Sequence, residues 1–217
     1  MDFKDLLERS RGYDTFAEKE KEVEERQKSF VSRFWLPGEA NAKIVFLDDN
    51  PPIIEEHQLK LNNDWRNWYT CLRIVGETCP ICDELDDKPY TVGFYTIIDT
   101  TEWTDKKGET HKNQLKLFAA KFQTLQILKR LSGKRGSLAG CVFDVYRSSK
   151  DAANTGDVFD FEGKLDKEDI LKLNPEASIF DYSEILAPKK AGDILRDLRK
   201  NSERSYTAFT DDNDVVF

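Results

Sequence analysis

No run of about 18 consecutive apolar residues occurs in the 217-residue chain, so no membrane-spanning helix is expected. The first residues, Met1–Asp5, lack the basic start and apolar stretch of a secretory signal, and no export is expected either. No internal repeat is visible. Histidine occurs twice and cysteine four times. Outside one short stretch, nothing supplies a reactive constellation, which argues against an enzyme. Three of the four cysteines stand at metal-ligand spacing, so a soluble protein of a reducing cytoplasm is expected.

That stretch runs from His57 through Cys71 to Cys79-Pro80-Ile81-Cys82. A C-P-x-C turn sets two thiolates on one cation, and an upstream Cys and His complete a tetrahedral Cys3His zinc site. A Cys79–Cys82 redox pair is the competing reading, but redox C-x-x-C opens a helix in a βαβ setting that is absent here. For the fourth ligand, His111 follows a hairpin turn and Cys141 sits in an apolar strand, so His57 ranks first. Four ligands leave no open position, and one structural zinc ion follows. A zinc hydrolase, with Glu55 or Glu56 as base, is the weaker alternative, because three thiolates are an unusual hydrolytic set.

The net charge of −8 is unevenly spread. Residues 106–150 hold 11 basic side chains against Glu109 and Asp144, whereas residues 151–217 hold nine against 16 acidic ones. This asymmetry admits a polyanionic ligand that the overall charge would argue against.

Residues 1–29 read as a charged helical arm with a thin apolar stripe. Strands are expected at 30–36, 42–47, 91–100, 138–147 and 158–165. Turns are expected at Pro37-Gly38, Asn62-Asn63-Asp64 and Asp105–Glu109. Leu115, Phe118, Phe122, Leu125, Leu128 and Leu131 share a helical face, which predicts a helix over 115–131. Short helices over 166–173, 183–186 and 191–200 pack on the core, and 201–217 forms a flexible acidic tail. Many strands with one good helix between two of them indicate a mainly β, α+β fold. An OB-type barrel over 30–165 is expected.

Basic and aromatic residues interleave between the first two ligands. Lys60, Trp65, Arg66, Trp68 and Tyr69 crowd into ten positions, and Arg73 follows. A second group is Tyr95, Trp103, Lys106, Lys107, Lys112 and Lys116, and Lys121 leads a third. Aromatic faces stack on unpaired bases while cations meet phosphates, so these are the candidate single-strand contacts. Each alone reads as core or as solvated surface; their coincidence is the signal. Asp211, Asp212 and Asp214 precede Val215-Val216-Phe217, a small docking peptide for a partner or for the protein's own basic groove. The bland reading of that end is a plain disordered acidic tail.

The stretch Arg33–Arg147 resembles the zinc-containing single-stranded DNA-binding proteins of tailed bacteriophages. Phe34-Trp35-Leu36-Pro37 carries the resemblance. So do the run His57, Lys60, Asn62, Trp65, Cys71 and the knuckle Cys79-Pro80-Ile81-Cys82. It implies an OB-fold core with a zinc subdomain inserted at about 57–90, and His57, Cys71, Cys79 and Cys82 as ligands. Trp65 would contact DNA. It further implies cooperative, sequence-independent binding of single strands in replication, recombination and repair, with the acidic tail recruiting replication proteins. Residues 1–29 depart from the short basic arm of that family. A zinc-stabilised adaptor that binds only protein is the alternative.

Overall fold

The computed structural model describes residues 31–199 except Lys106, together with Tyr13, Phe16, Ala17 and Glu20. The chain divides into two units, Met1–Ser32 and a second beginning at Arg33. In the first, Tyr13, Phe16, Ala17 and Glu20 are helical and exposed, and Val31 and Ser32 are not helical. Lys106, the far N-terminal residues and the expected tail with Asp211, Asp212, Asp214 and Phe217 lie outside the described residues.

The second unit is a mixed α+β structure built on antiparallel strands: β1 (Asn41–Phe46), β2 (Ile53–Leu61), β3 (Asp64–Thr70), β4 (Tyr90–Asp99), β5 (Trp103–Thr104), β6 (Thr110–His111), β7 (Gln114–Lys121), β8 (Cys141–Tyr146) and β9 (Val158–Lys164). The helices are α1 (Pro80–Glu84), α2 (Phe122–Arg135), α3 (Lys167–Leu173), α4 (Tyr182–Ile185) and α5 (191–199). The main sheet has the order β3-β2-β4-β1-β8-β9, with β7 on β4. One edge of β4 is shared, β2 taking Tyr90–Gly93 and β1 taking Ile97–Asp99. β7 takes the other edge along its length, from Val92↔Lys121 to Asp99↔Gln114.

The expected closed barrel does not form. Among the described residues no ladder joins β7 to β9 or β3. Beyond β7 lies only a single parallel bridge, Arg33 to Leu117. The segment after it cannot continue the ladder because Leu36 N–H turns to the carbonyl of Asn154.

The expected helix over 115–131 is also corrected. Gln114–Lys121 is strand, and the helix starts at Phe122. Leu115 and Leu117 lie on one face of β7 and Phe118 and Ala120 on the other, and both faces are covered. A strand apolar on both faces loses its period-2 signature and mimics helical spacing. Of residues 30–36, read as strand, the described ones, 31–36, contribute only the bridge at Arg33.

One face of the sheet carries the aromatic core. Phe34 stacks on Phe118 at 5.6 Å, and Phe46 meets Tyr95 edge-on at 5.3 Å and Phe143 at 5.8 Å. α2 closes this core with Leu128 and Leu125. Gly93 makes that approach possible, since a Cβ there would stand 2.5 Å from a Leu125 methyl. On the opposite face, Val45, Ile98 and Val142 are covered by Ile170 and Leu173 of α3. The chain then crosses back over the sheet. Phe180 N–H donates to Thr96 Oγ1, Tyr182 Oη bonds Thr96 Oγ1 at 2.9 Å, and Thr70 Oγ1 donates to the Leu186 carbonyl.

Candidate metal centre and nucleic-acid face

β2 and β3 form a hairpin closed by Asn62 and Asn63, both with positive φ (51° and 62°). Asparagine tolerates this left-handed region, which a two-residue hairpin turn requires. Register then sorts the side chains. His57 faces Tyr69 and Leu59 faces Asn67, while Gln58 faces Trp68. Alternation puts His57, Leu59, Leu61 and Tyr69 on one side and Gln58, Lys60, Arg66 and Trp68 on the other.

The first side holds the candidate metal cluster. Cys71 follows β3, its N–H bound to the Glu55 carbonyl at 2.9 Å. A short 3-10 helix, Leu72–Val75, ends at Gly76 with a left-handed φ of 77°. Cys79 and Cys82 flank the first turn of α1, where Pro80 needs no N–H partner. The ligand atoms of His57, Cys71, Cys79 and Cys82 all lie within 4.8 Å of one another, and all four residues are buried.

The spacing fits one tetrahedral ion. Bond lengths typical of zinc give edges of about 3.8 Å between sulfurs and about 3.6 Å between sulfur and imidazole nitrogen. The Cys71–Cys82 sulfurs stand 3.7 Å apart, and His57 Nε2 lies 3.6 Å from Cys79 Sγ and 3.4 Å from Cys82 Sγ. His57 Nδ1 donates to Asp87 Oδ2 at 2.6 Å, which turns the Nε2 lone pair toward the sulfurs.

The thiols differ. Burial raises Cys79, but backbone N–H groups of Cys82, Leu72 and Ile81 outweigh it and bring it to about 7. Burial, reinforced by the neighbouring sulfurs, pushes Cys82 up to about 12, and burial also raises Cys71. An ion that supplies positive charge at the centre lets all three ionise.

The competing ligands fall elsewhere. Cys141 is in the aromatic core, its thiol directed at the Ser137 carbonyl. His111 joins a separate, more exposed group with Asp105 and Glu109 on the β5–β6 hairpin. Asp87 was not legible as a partner of the centre, because no spacing rule links it to His57. Nor was α5, whose Ile194 is buried beside Leu59, Leu61, Tyr69 and the ligand cysteines.

The expected strand-contacting residues divide. Lys60 is exposed, with no ion pair among the described residues, and Trp65 at the hairpin tip is 56% exposed. Arg66 forks onto Asp64 at 2.9–3.0 Å and Arg73 pairs with Asp83 at 2.7 Å, both exposed. Trp68 is half-buried under the Arg33 guanidinium, 4.1 Å from the ring centroid. Arg33 pairs with buried Glu56, which also accepts from Tyr90 Oη at 2.8 Å. Lys121 lies 4.3 Å over the Tyr90 ring. Trp103 stacks on His111 and donates to Gln114, and exposed Lys112 stands 3.8 Å from Glu102. Lys107 is exposed.

Three of the expected contact residues are withdrawn from the surface, two by burial and one by an ion pair. Tyr69 is 4% exposed because it faces the metal side, where its hydroxyl donates to Asp197. Tyr95 is 3% exposed because its position on β4 faces the aromatic core. Lys116 is held at 2.7 Å by the buried Asp99 carboxylate. Tyr69 and Tyr95 are buried, and Lys116 is part-buried and ion-paired.

Among the described residues no helix is long and apolar enough to cross a membrane. No protein-family model matches the chain, and neither does any curated protein or solved structure.

Proposed function

We propose that the His57, Cys71, Cys79 and Cys82 cluster holds a single structural zinc and that the protein binds single-stranded DNA without sequence preference. The carrying observation is the two-sided hairpin. His57 and Cys71 are held on the metal side, while Lys60, Arg66 and Trp68 occupy the other side and Trp65 the tip. Zinc, when bound, supplies the charge that holds three thiolates together and ties the hairpin to the knuckle. The hairpin then offers aromatic planes at fixed positions. Bases stack on Trp65 and Trp68, and Lys60, Arg66 and Lys121 meet the phosphates between them. Arg66 and Arg73 leave exposed carboxylate partners, an exchange that costs little because such surface pairs are weak. Trp103, Lys107 and Lys112 on or beside the second hairpin extend the same kind of surface.

The motif resemblance adds the setting: coating of single strands in phage replication, recombination and repair. In this reading the tail residues Asp211, Asp212, Asp214 and Phe217 recruit replication proteins, and copies associate along the strand. A zinc-stabilised protein adaptor is the second reading, favoured by the exposed Ile74, Val75 and Leu85 on and beside the knuckle.

The deciding experiment is a fluorescence-anisotropy titration of labelled single-stranded and duplex oligonucleotides at two salt concentrations. Tight single-strand binding that weakens with salt, with poor duplex binding, is expected. Absence of single-strand binding at low salt rejects this reading and leaves the adaptor. Metal analysis of purified protein checks the ion, with one zinc per chain expected.

A further inference from the structure

Arg33 and Trp35 precede every strand of the main sheet. Arg33 makes a β-bridge to Leu117, and burial alternates after it as in extended chain: Phe34 and Leu36 are buried, while Trp35 is 57% exposed. In extended chain, residues two apart point the same way, about 7 Å apart. Trp35 therefore shares the side of Arg33, whose guanidinium covers Trp68 at 4.1 Å and reaches Phe94 at 5.3 Å.

The backbone under Trp35 is fixed on both sides. Phe34 N–H donates to the Leu117 carbonyl at 2.9 Å, and Leu36 N–H donates to the Asn154 carbonyl at 2.8 Å. Arg147 further clamps the Leu36 carbonyl at 2.8 Å. Phe34 is stacked into the core on Phe118. Trp35 itself makes no hydrogen bond, ring contact or ion pair among the described residues. In contrast, the Trp103 indole has both a ring partner and a hydrogen-bond acceptor. A large planar side chain left without a partner on a rigid backbone, beside a cation-covered tryptophan, has the form of a stacking platform.

We propose that Trp35 is a further base-stacking residue, taking the nucleic-acid strand beyond the hairpin, past Trp68 and Arg33, onto the rim of β7. The inference rests on the single-strand-binding reading above. The ligand class is an unpaired nucleic-acid segment, because the platform is a bare aromatic plane on the side of the cation-covered Trp68. Arg33 is a positioning residue here: its charge is committed to Glu56, and it sets the tilt of Trp68.

The test uses the full chain and a mixed-sequence labelled 20-mer with wild type, Trp35→Ala, Trp35→Phe and Trp65→Ala. Thermal melting and zinc content serve as controls for folding, which an exposed site should leave unchanged. Loss of about tenfold or more in affinity for Trp35→Ala, with most of it restored by Trp35→Phe, is the expected result. Wild-type affinity in Trp35→Ala while Trp65→Ala loses binding overturns this inference and spares the function. Loss in Trp35→Ala that Trp35→Phe does not restore also overturns it, since stacking needs only an aromatic plane. If wild type itself does not bind, the function reading falls and the inference with it.

Discussion

At the scale of single residues, two carboxylates do unequal work. Asp87 is partly exposed, yet it holds His57 in the orientation the metal requires. Replacing it with Ala should lower metal affinity about 10- to 100-fold with little change in fold. Competition with a chromophoric chelator measures this directly. Glu56 is 2% exposed and accepts from both Arg33 and Tyr90. Glu56→Ala leaves the largely buried Arg33 guanidinium without its counter-charge, at a cost of about 3 kcal/mol. Urea denaturation should show the loss as a lowered midpoint. Neither partner could be found from sequence, because Arg33 and Glu56 are 23 positions apart and meet only through tertiary packing.

At the scale of elements, α5 and the β2–β3 hairpin depend on each other. Ile194 is fully buried among Leu59, Leu61, Tyr69 and the ligand cysteines, and Tyr69 donates to Asp197 on the same helix. Ile194→Ala should cost about 2–5 kcal/mol and leave a cavity against the metal side. Hydrogen exchange should then show faster opening in β2, β3 and α5 than in β8 and β9. A uniform change across the sheet would mean that the hairpin is not a separate cooperative unit. The same elements show where sequence reading held. The asparagine turn, the knuckle and the strands at Asn41–Phe46 and Tyr90–Asp99 follow from turn chemistry and β-branched runs. β7 did not, since burial on both faces erased its alternation.

At the scale of the whole molecule, the proposed function links metal, protons and nucleic acid. Without metal, Cys79 stands near 7 while Cys82 is pushed up to about 12 and Cys71 is also raised. Above pH 7 Cys79 is largely thiolate, so zinc must displace about two protons, from Cys71 and Cys82. Below pH 7 Cys79 is protonated too, and a third proton is released. Affinity should therefore fall as pH falls, and more steeply below pH 7 than above it. Calorimetric titration in buffers of different ionisation enthalpy counts the protons. If the hairpin carries the strand, chelation should weaken DNA binding in parallel with metal loss.

The pairing of Cys79 with Cys82 and the candidacy of His57 and Cys71 were legible in the sequence, because a C-P-x-C turn is local geometry, and the fold brought all four together. The α+β class was also legible, since strand and turn signals are local. Tertiary structure alone decided that the sheet stays open, that Tyr69 and Tyr95 turn inward, and that Trp35 is left outside. Which face of a strand is covered depends on what packs there from distant sequence, here α5 on one side of the hairpin and Arg33 on the other. A local pattern cannot carry that information.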